Sequence, residues 1–126
     1  MSEHDEACAL VQWWDYQAPA WGYQPDDLVH IPNEGGKGIN GEKRKREGVR
    51  AGIPDYLLTI PREMPAEPFH VPDRCAGLWI ELKTKTGTVQ KNQREQMARL
   101  DSRGYATAVC RGWEAALDEI TRYLGR

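Results

Sequence analysis

With 126 residues, 40% of them apolar and 29% charged, the chain has the size and composition of one globular domain with a modest core. No apolar run approaches the roughly 20 residues of a membrane span, and the first ten residues hold three acids and no lysine or arginine, which argues against a signal peptide and for the cytoplasm. The net charge of -2 conceals an asymmetry: residues 1–34 carry seven acids and no Lys or Arg, while residues 35–126 carry 17 basic and 12 acidic groups, so a basic face can exist on an acidic protein.

The first predicted element is a helix over Glu3 to Gln17, with Ser2 as N-cap and Ala7, Leu10, Val11 and Trp14 on one stripe. Its early acids suit the helix dipole. Trp13, Trp14, Tyr16, Trp21 and Tyr23 are more aromatic surface than one helix face needs, which suggests a subunit interface. Pro19 and Pro25 are expected to break the helix, and Leu28 to Ile31 reads as a short strand followed by the glycine loop 35–38. No Gly-Lys-Ser/Thr follows those glycines, so they do not form a P-loop. Glu42 to Glu47 reads as a short exposed helix ending at Gly48, and its run Lys43, Arg44, Lys45, Arg46, with Arg50 after it, suits contact with phosphates.

Asp55 opens a predicted strand reaching Ile60. Four prolines between Pro61 and Arg74 exclude a helix and a central strand there, leaving an extended connection. In Gly77-Leu-Trp-Ile-Glu-Leu-Lys83, Leu78, Ile80 and Leu82 alternate with Trp79, Glu81 and Lys83, the period of a strand. Glu81 and Lys83 therefore leave one face, and if residues 56–60 form the neighbouring strand, Asp55 brings a second carboxylate beside Glu81. Two carboxylates and a lysine suit a divalent cation and the water or phosphate next to it. A helix over Gln90 to Arg103 follows, with Gln93 on the stripe of Met97 and Leu100, then a strand over Tyr105 to Cys110 and a closing amphipathic helix through Trp113, Ala116, Leu117, Ile120 and Leu124. Cys8, Cys75 and Cys110 are odd in number and widely spaced, which supports neither a disulfide framework nor a zinc site.

In this order of elements the chain resembles the restriction-endonuclease-like, or PD-(D/E)xK, nucleases, and within them the VRR-NUC family. The likeness rests on the acidic first helix, Ile31-Pro-Asn33, Gly48-Val-Arg-Ala-Gly-Ile-Pro-Asp55, Gly77 to Lys83, Gly87 to Gln93, Gly104-Tyr105 and the terminal helix through Ile120 and Leu124. It implies an α/β fold, a small mixed central sheet flanked by helices in the order α-β-β-β-α-β-α, filling the chain as one domain. It also implies Asp55 and Glu81 as metal ligands, Lys83 as the catalytic lysine, Gln93 as a site residue and a first-helix glutamate as an accessory. Helical phase favours Glu3 over Glu6 for that last role. The expected cofactor is Mg²⁺, with Mn²⁺ as the other candidate, and the expected partner is DNA. Stand-alone members of the resembled family act as homodimers on branched DNA such as Holliday junctions. A nickase or flap nuclease, and a DNA-binding subunit inactive on its own, are the alternative readings. One departure is Gln90, where the family shows Ser; Thr88 is then the expected helix cap.

Overall fold

A computed structural model of the protein describes residues 1–32, 39–63 and 74–126. The glycine loop 35–38 and most of the proline-rich stretch 61–74 lie outside the described residues.

Helix α1 spans Glu3–Ala20. It opens on a reciprocal cap, in which Ser2 Oγ accepts from the Asp5 N–H and Asp5 Oδ2 accepts from the Ser2 N–H. Pro19 does not break it. It sits in the last turn, where it deletes a single helical donor, and the helix ends at Trp21 and at Gly22, whose φ of 86 reverses the chain. Pro25 instead starts the 3₁₀ turn Pro25–Asp27.

Four strands form the main sheet in the order β1 (Leu28–His30), β2 (Tyr56–Leu58), β5 (Leu78–Lys83) and β6 (Ala106–Arg111). β2 runs antiparallel to both β1 and β5, and β5 parallel to β6, so the sheet is mixed. The parallel pair requires a crossover, which α3 (Lys91–Ser102) provides. Between β1 and β2 stands α2 (Ile39–Arg46), longer at its start than the sequence suggests, and α4 (Trp113–Tyr123) closes the fold. The proline-rich connection departs from expectation at its two ends: β3 (Arg62–Glu63) and β4 (Arg74–Cys75) pair as a second, two-stranded sheet. No helix among the described residues is long and apolar enough to cross a membrane.

The core lies between α1 and α4 and the sheet face carrying Tyr56, Leu58, Leu78, Ile80 and Leu82; Leu10, Trp14, Ala18, Ala116, Ile120 and Tyr123 fill it from the helices. Each fully buried aliphatic side chain there contributes about 1.5–3 kcal/mol. Two polar tips of this core are satisfied: Trp14 Nε1 donates to the Pro25 carbonyl and Tyr123 OH to that of Ile60. The aromatic surplus is mostly spent within the chain. Trp13 packs edgewise on Trp21, Trp14 stacks on Tyr23, and the Arg126 guanidinium lies over Trp21 and Tyr23. Tyr16 stays in solvent, 83% exposed.

Trp79, Glu81 and Lys83 point to the opposite face, alternating with the core residues of β5 as a pleated strand dictates. Two glycines set the spacing around that face. A Cβ on Gly77 would stand 2.7 Å from the Leu58 carbonyl, and one on Gly52 would stand 2.7 Å from the Asn92 carbonyl, so β5 and the start of α3 approach their neighbours only because these side chains are absent.

Candidate active site

Asp55 immediately precedes β2 and Glu81 is the fourth residue of β5. The register Tyr56↔Ile80, continued by one residue, sets the two acids opposite each other. Pro54 falls opposite Leu82 in the same register. At that point the Leu82 N–H donates to Asp55 Oδ2, at 2.8 Å, so the carboxylate is tied to the backbone of the strand that bears Glu81.

Glu81 is 2% exposed. Its Oε1 accepts from Gln93 Nε2 at 3.0 Å and lies 3.4 Å from Lys83 Nζ, whose side chain is 13% exposed. Its Oε2 is buried without a hydrogen-bond partner. Gln93 reaches this position from the first turn of α3, where its Oε1 accepts from the Gln90 N–H at 2.8 Å. A backbone N–H can only donate, so that bond turns the amide's NH₂ towards Glu81. Gln90, not Thr88, occupies the N-cap position of α3.

The electrostatics are those of a site short of positive charge. Burial, first, and then the charge of Asp55 raise the Glu81 carboxyl to about 7 from 4.5; Lys83 opposes this and Glu3 adds to it. Asp55 is also raised, chiefly by burial, against the Leu82 N–H bond that lowers it; Glu3 again raises, while His30 and Lys83 lower. A buried and a half-buried carboxylate whose charged forms are penalised, the buried one with an unpartnered oxygen, fit a cation. Among the described residues no three His, Cys, Asp or Glu side chains converge closely enough to hold a metal by themselves. One or two carboxylates, with water and substrate phosphate supplying the remaining oxygens, is the manner in which Mg²⁺ is held.

The structure therefore brings Glu81, Lys83 and Gln93 into one bonded cluster, with Asp55 tied to the Leu82 backbone beside it. Glu3, exposed in the first turn of α1, is the first-helix acid whose charge acts on both Asp55 and Glu81. Glu6 is turned elsewhere: its Oε2 accepts from the Trp113 N–H at 2.6 Å. Lys43, Arg44, Lys45, Arg46 and Arg50 stand exposed on α2 and the loop after it, outside the cluster, with Lys45 3.6 Å from Glu42.

Three neighbours of the site escape a reading of the sequence. His30 ends β1 with its Nδ1 3.1 Å from the Asp55 carbonyl and its ring against Tyr56. Trp79 precedes Glu81 by two on the same face, with Nε1 buried and unpartnered. Arg111 donates to the carbonyls of Thr84 and Gly87 and so braces the loop from Lys83 to α3. Only the period-two pattern of β5 pointed towards any of these, and it marks Trp79 as facing the site without showing its free N–H.

The sequence model of the VRR-NUC domain matches residues 2–114. A solved structure described as a VRR_NUC domain protein superimposes with a TM-score of 0.79 over 99% of this chain and 89% of its own, at 24% identity, a likeness of fold. No curated protein matches the chain. With the family match covering nearly its whole length and the mixed sheet of the PD-(D/E)xK fold beneath it, the chain belongs to the VRR-NUC domain family, and its function is of the nuclease type.

Proposed function

We propose that the protein is a divalent-metal-dependent DNA endonuclease, acting by preference on branched DNA such as a four-way junction, as a homodimer. The observation that supports this best is the convergence of the buried Glu81 and half-buried Asp55 carboxylates, a lysine and an oriented glutamine at the end of β5. Asp55 and Glu81 would hold Mg²⁺ or Mn²⁺. When bound, such an ion neutralises a phosphoryl oxygen and acidifies the attacking water. Lys83, largely shielded and fixed by Glu81, would set the direction of that water or balance charge gathering on the phosphate. Gln93 holds Glu81 in one rotamer through an amide whose other end is fixed to the backbone. Glu3 would add a third acid from α1.

The basic residues on α2 and Arg50 are placed along the chain leading into Asp55, and suit phosphates flanking the cleaved bond. Paired cuts on a junction follow from two copies related by a two-fold axis. The test is a panel of labelled linear, flapped and four-way DNAs incubated with Mg²⁺, with Mn²⁺ and with EDTA, alongside mass measurement by light scattering. The reading requires metal-dependent cleavage with the junction cut fastest and a dimer mass at micromolar concentration. Absence of cleavage by the purified chain overturns the enzyme reading, and a monomer cutting plain duplex equally well overturns the junction reading.

A further inference from the structure

The first two turns of α1 carry Glu3 and meet the core mainly through Ala7. Glu3, His4, Asp5 and Cys8 are exposed, and the first buried residue of the helix is Leu10. Glu6 makes the long-range bond in this segment, from its Oε2 to the N–H of Trp113, the first residue of α4. The preceding residue, Gly112, has no side chain with which to cap that helix, and its φ of 93 turns the backbone so that the carboxylate of Glu6 lies 3.5 Å from the position a Cβ would take. Glu6 therefore caps α4 from another helix, an anion at the positive end of the helix dipole. The same turn is fixed to the catalytic strand, because the Gly112 N–H donates to the Lys83 carbonyl at 2.8 Å. A continuous bonded path runs from the helix bearing Glu3, through Glu6, Trp113 and Gly112, to the backbone of Lys83.

We infer that Glu6 is a positioning residue: its tie to the α4 N-terminus sets the first turn of α1 against the end of β5 and so delivers Glu3 to the cation held by Asp55 and Glu81. The inference rests on the nuclease reading for the cation and on the hydrogen bonds alone for the tie. Glu6 and Glu3 are one turn apart, so a tilt that releases one displaces the other. The two acids divide the work, Glu3 supplying charge that acts on Asp55 and Glu81 and Glu6 fixing the helix that carries it.

Two readouts other than cleavage test this in the full chain: hydrogen exchange of the α1 amides, and Mn²⁺ affinity from paramagnetic resonance of the free ion. Glu6→Ala should speed exchange in the first two turns of α1 with the sheet amides unchanged, and weaken Mn²⁺ roughly tenfold. Glu6→Gln keeps an acceptor oxygen and should retain protection and affinity. In a Glu3→Gln background, Glu6→Ala should cost no further affinity, because the residue acts through Glu3. Glu6→Asp, which withdraws the carboxylate by one methylene, should give an intermediate loss and serves in place of Glu6→Ala should that variant not fold. Unchanged exchange in α1 overturns the tie. An equal affinity loss with and without Glu3, or a Glu6→Gln variant as weak as Glu6→Ala, overturns the positioning role. Wild-type protein that binds no Mn²⁺ overturns the metal-site reading itself, and with it the delivery of Glu3 to a cation, while the exchange measurement still decides the tie.

Discussion

Replacing Glu81 with glutamine should stabilise the metal-free protein above neutral pH, although it removes the central acid of the site. Glu81 is 2% exposed, and burial together with Asp55 holds its carboxyl at about 7, against 4.5 for a free side chain. The folded chain therefore binds this proton more tightly than the unfolded chain. Its contribution to stability is complete below 4.5 and is lost as pH rises through 7. At about 1.4 kcal/mol per pH unit, the loss approaches about 3 kcal/mol. The attraction of Lys83 is already contained in that value, so it does not offset the loss a second time. Urea unfolding in EDTA between about pH 4.5 and 8 should show wild-type stability falling relative to Glu81→Gln by this order. Mg²⁺ added at the upper end should recover stability in wild type by mass action and do little for the variant. Parallel stability curves for the two proteins across that range would refute the account of Glu81 as a buried acid short of a cation.

Asp55→Asn, Glu81→Gln and Lys83→Ala should each reduce cleavage by at least about a hundredfold with circular dichroism unchanged, since each removes transition-state stabilisation more than packing; wild-type turnover in excess metal would sink the site assignment. Changing Lys43, Arg44, Lys45 and Arg46 together to alanine should weaken binding to every DNA sequence and make the slope of log affinity against log salt shallower by about 2 to 4, and an unaltered slope would return the run to a merely solvated face. Gly52→Ala should cost about 2 kcal/mol or more of stability, read from thermal unfolding, because φ is 82 and the new Cβ would meet the Asn92 carbonyl; a melting temperature equal to wild type would show that the start of α3 can yield.

The residues that meet across β5 were legible because a strand's period of two is rigid: once Leu78, Ile80 and Leu82 face a core, Glu81 and Lys83 must share the other face. Asp55 followed from its place at the head of the adjacent strand; the α3 stripe left Gln93 open between a core amide and a site residue, and the family resemblance implied the second. Strand order was less accessible, since it depends on β2 entering between β1 and β5, a long-range choice no local pattern records. Pro19 misled because its cost falls in the interior of a helix, and in a last turn it is small. The role of Glu6 was hidden for a related reason: Gly112 lacks a side chain to cap α4, and nothing near it in sequence shows that a residue more than a hundred positions away supplies the missing acceptor. Composition counts aromatic rings without showing how they pack: Trp13, Trp14, Trp21, Tyr23 and Arg126 lie on one another within the chain, while Tyr16 stays exposed.

The bond from the Leu82 N–H to Asp55 Oδ2 means that one side chain serves as a rung of the sheet. β2 is three residues long and its backbone pairing with β5 ends at Tyr56↔Ile80, so beyond that point the Leu82 N–H takes a carboxylate oxygen as its acceptor in place of a backbone carbonyl. An acid mounted in this way is as stiff as the strands on either side of it; it cannot swing out to meet an ion and must receive one where it stands. The fold and the site are consequently hard to separate by mutation at this position. Alanine would remove the acid and also strand a buried backbone donor, at about 1–3 kcal/mol, whereas asparagine can keep the rung through its carbonyl oxygen while discarding the charge. A loss of activity in the alanine variant alone would thus report on the sheet as much as on the chemistry.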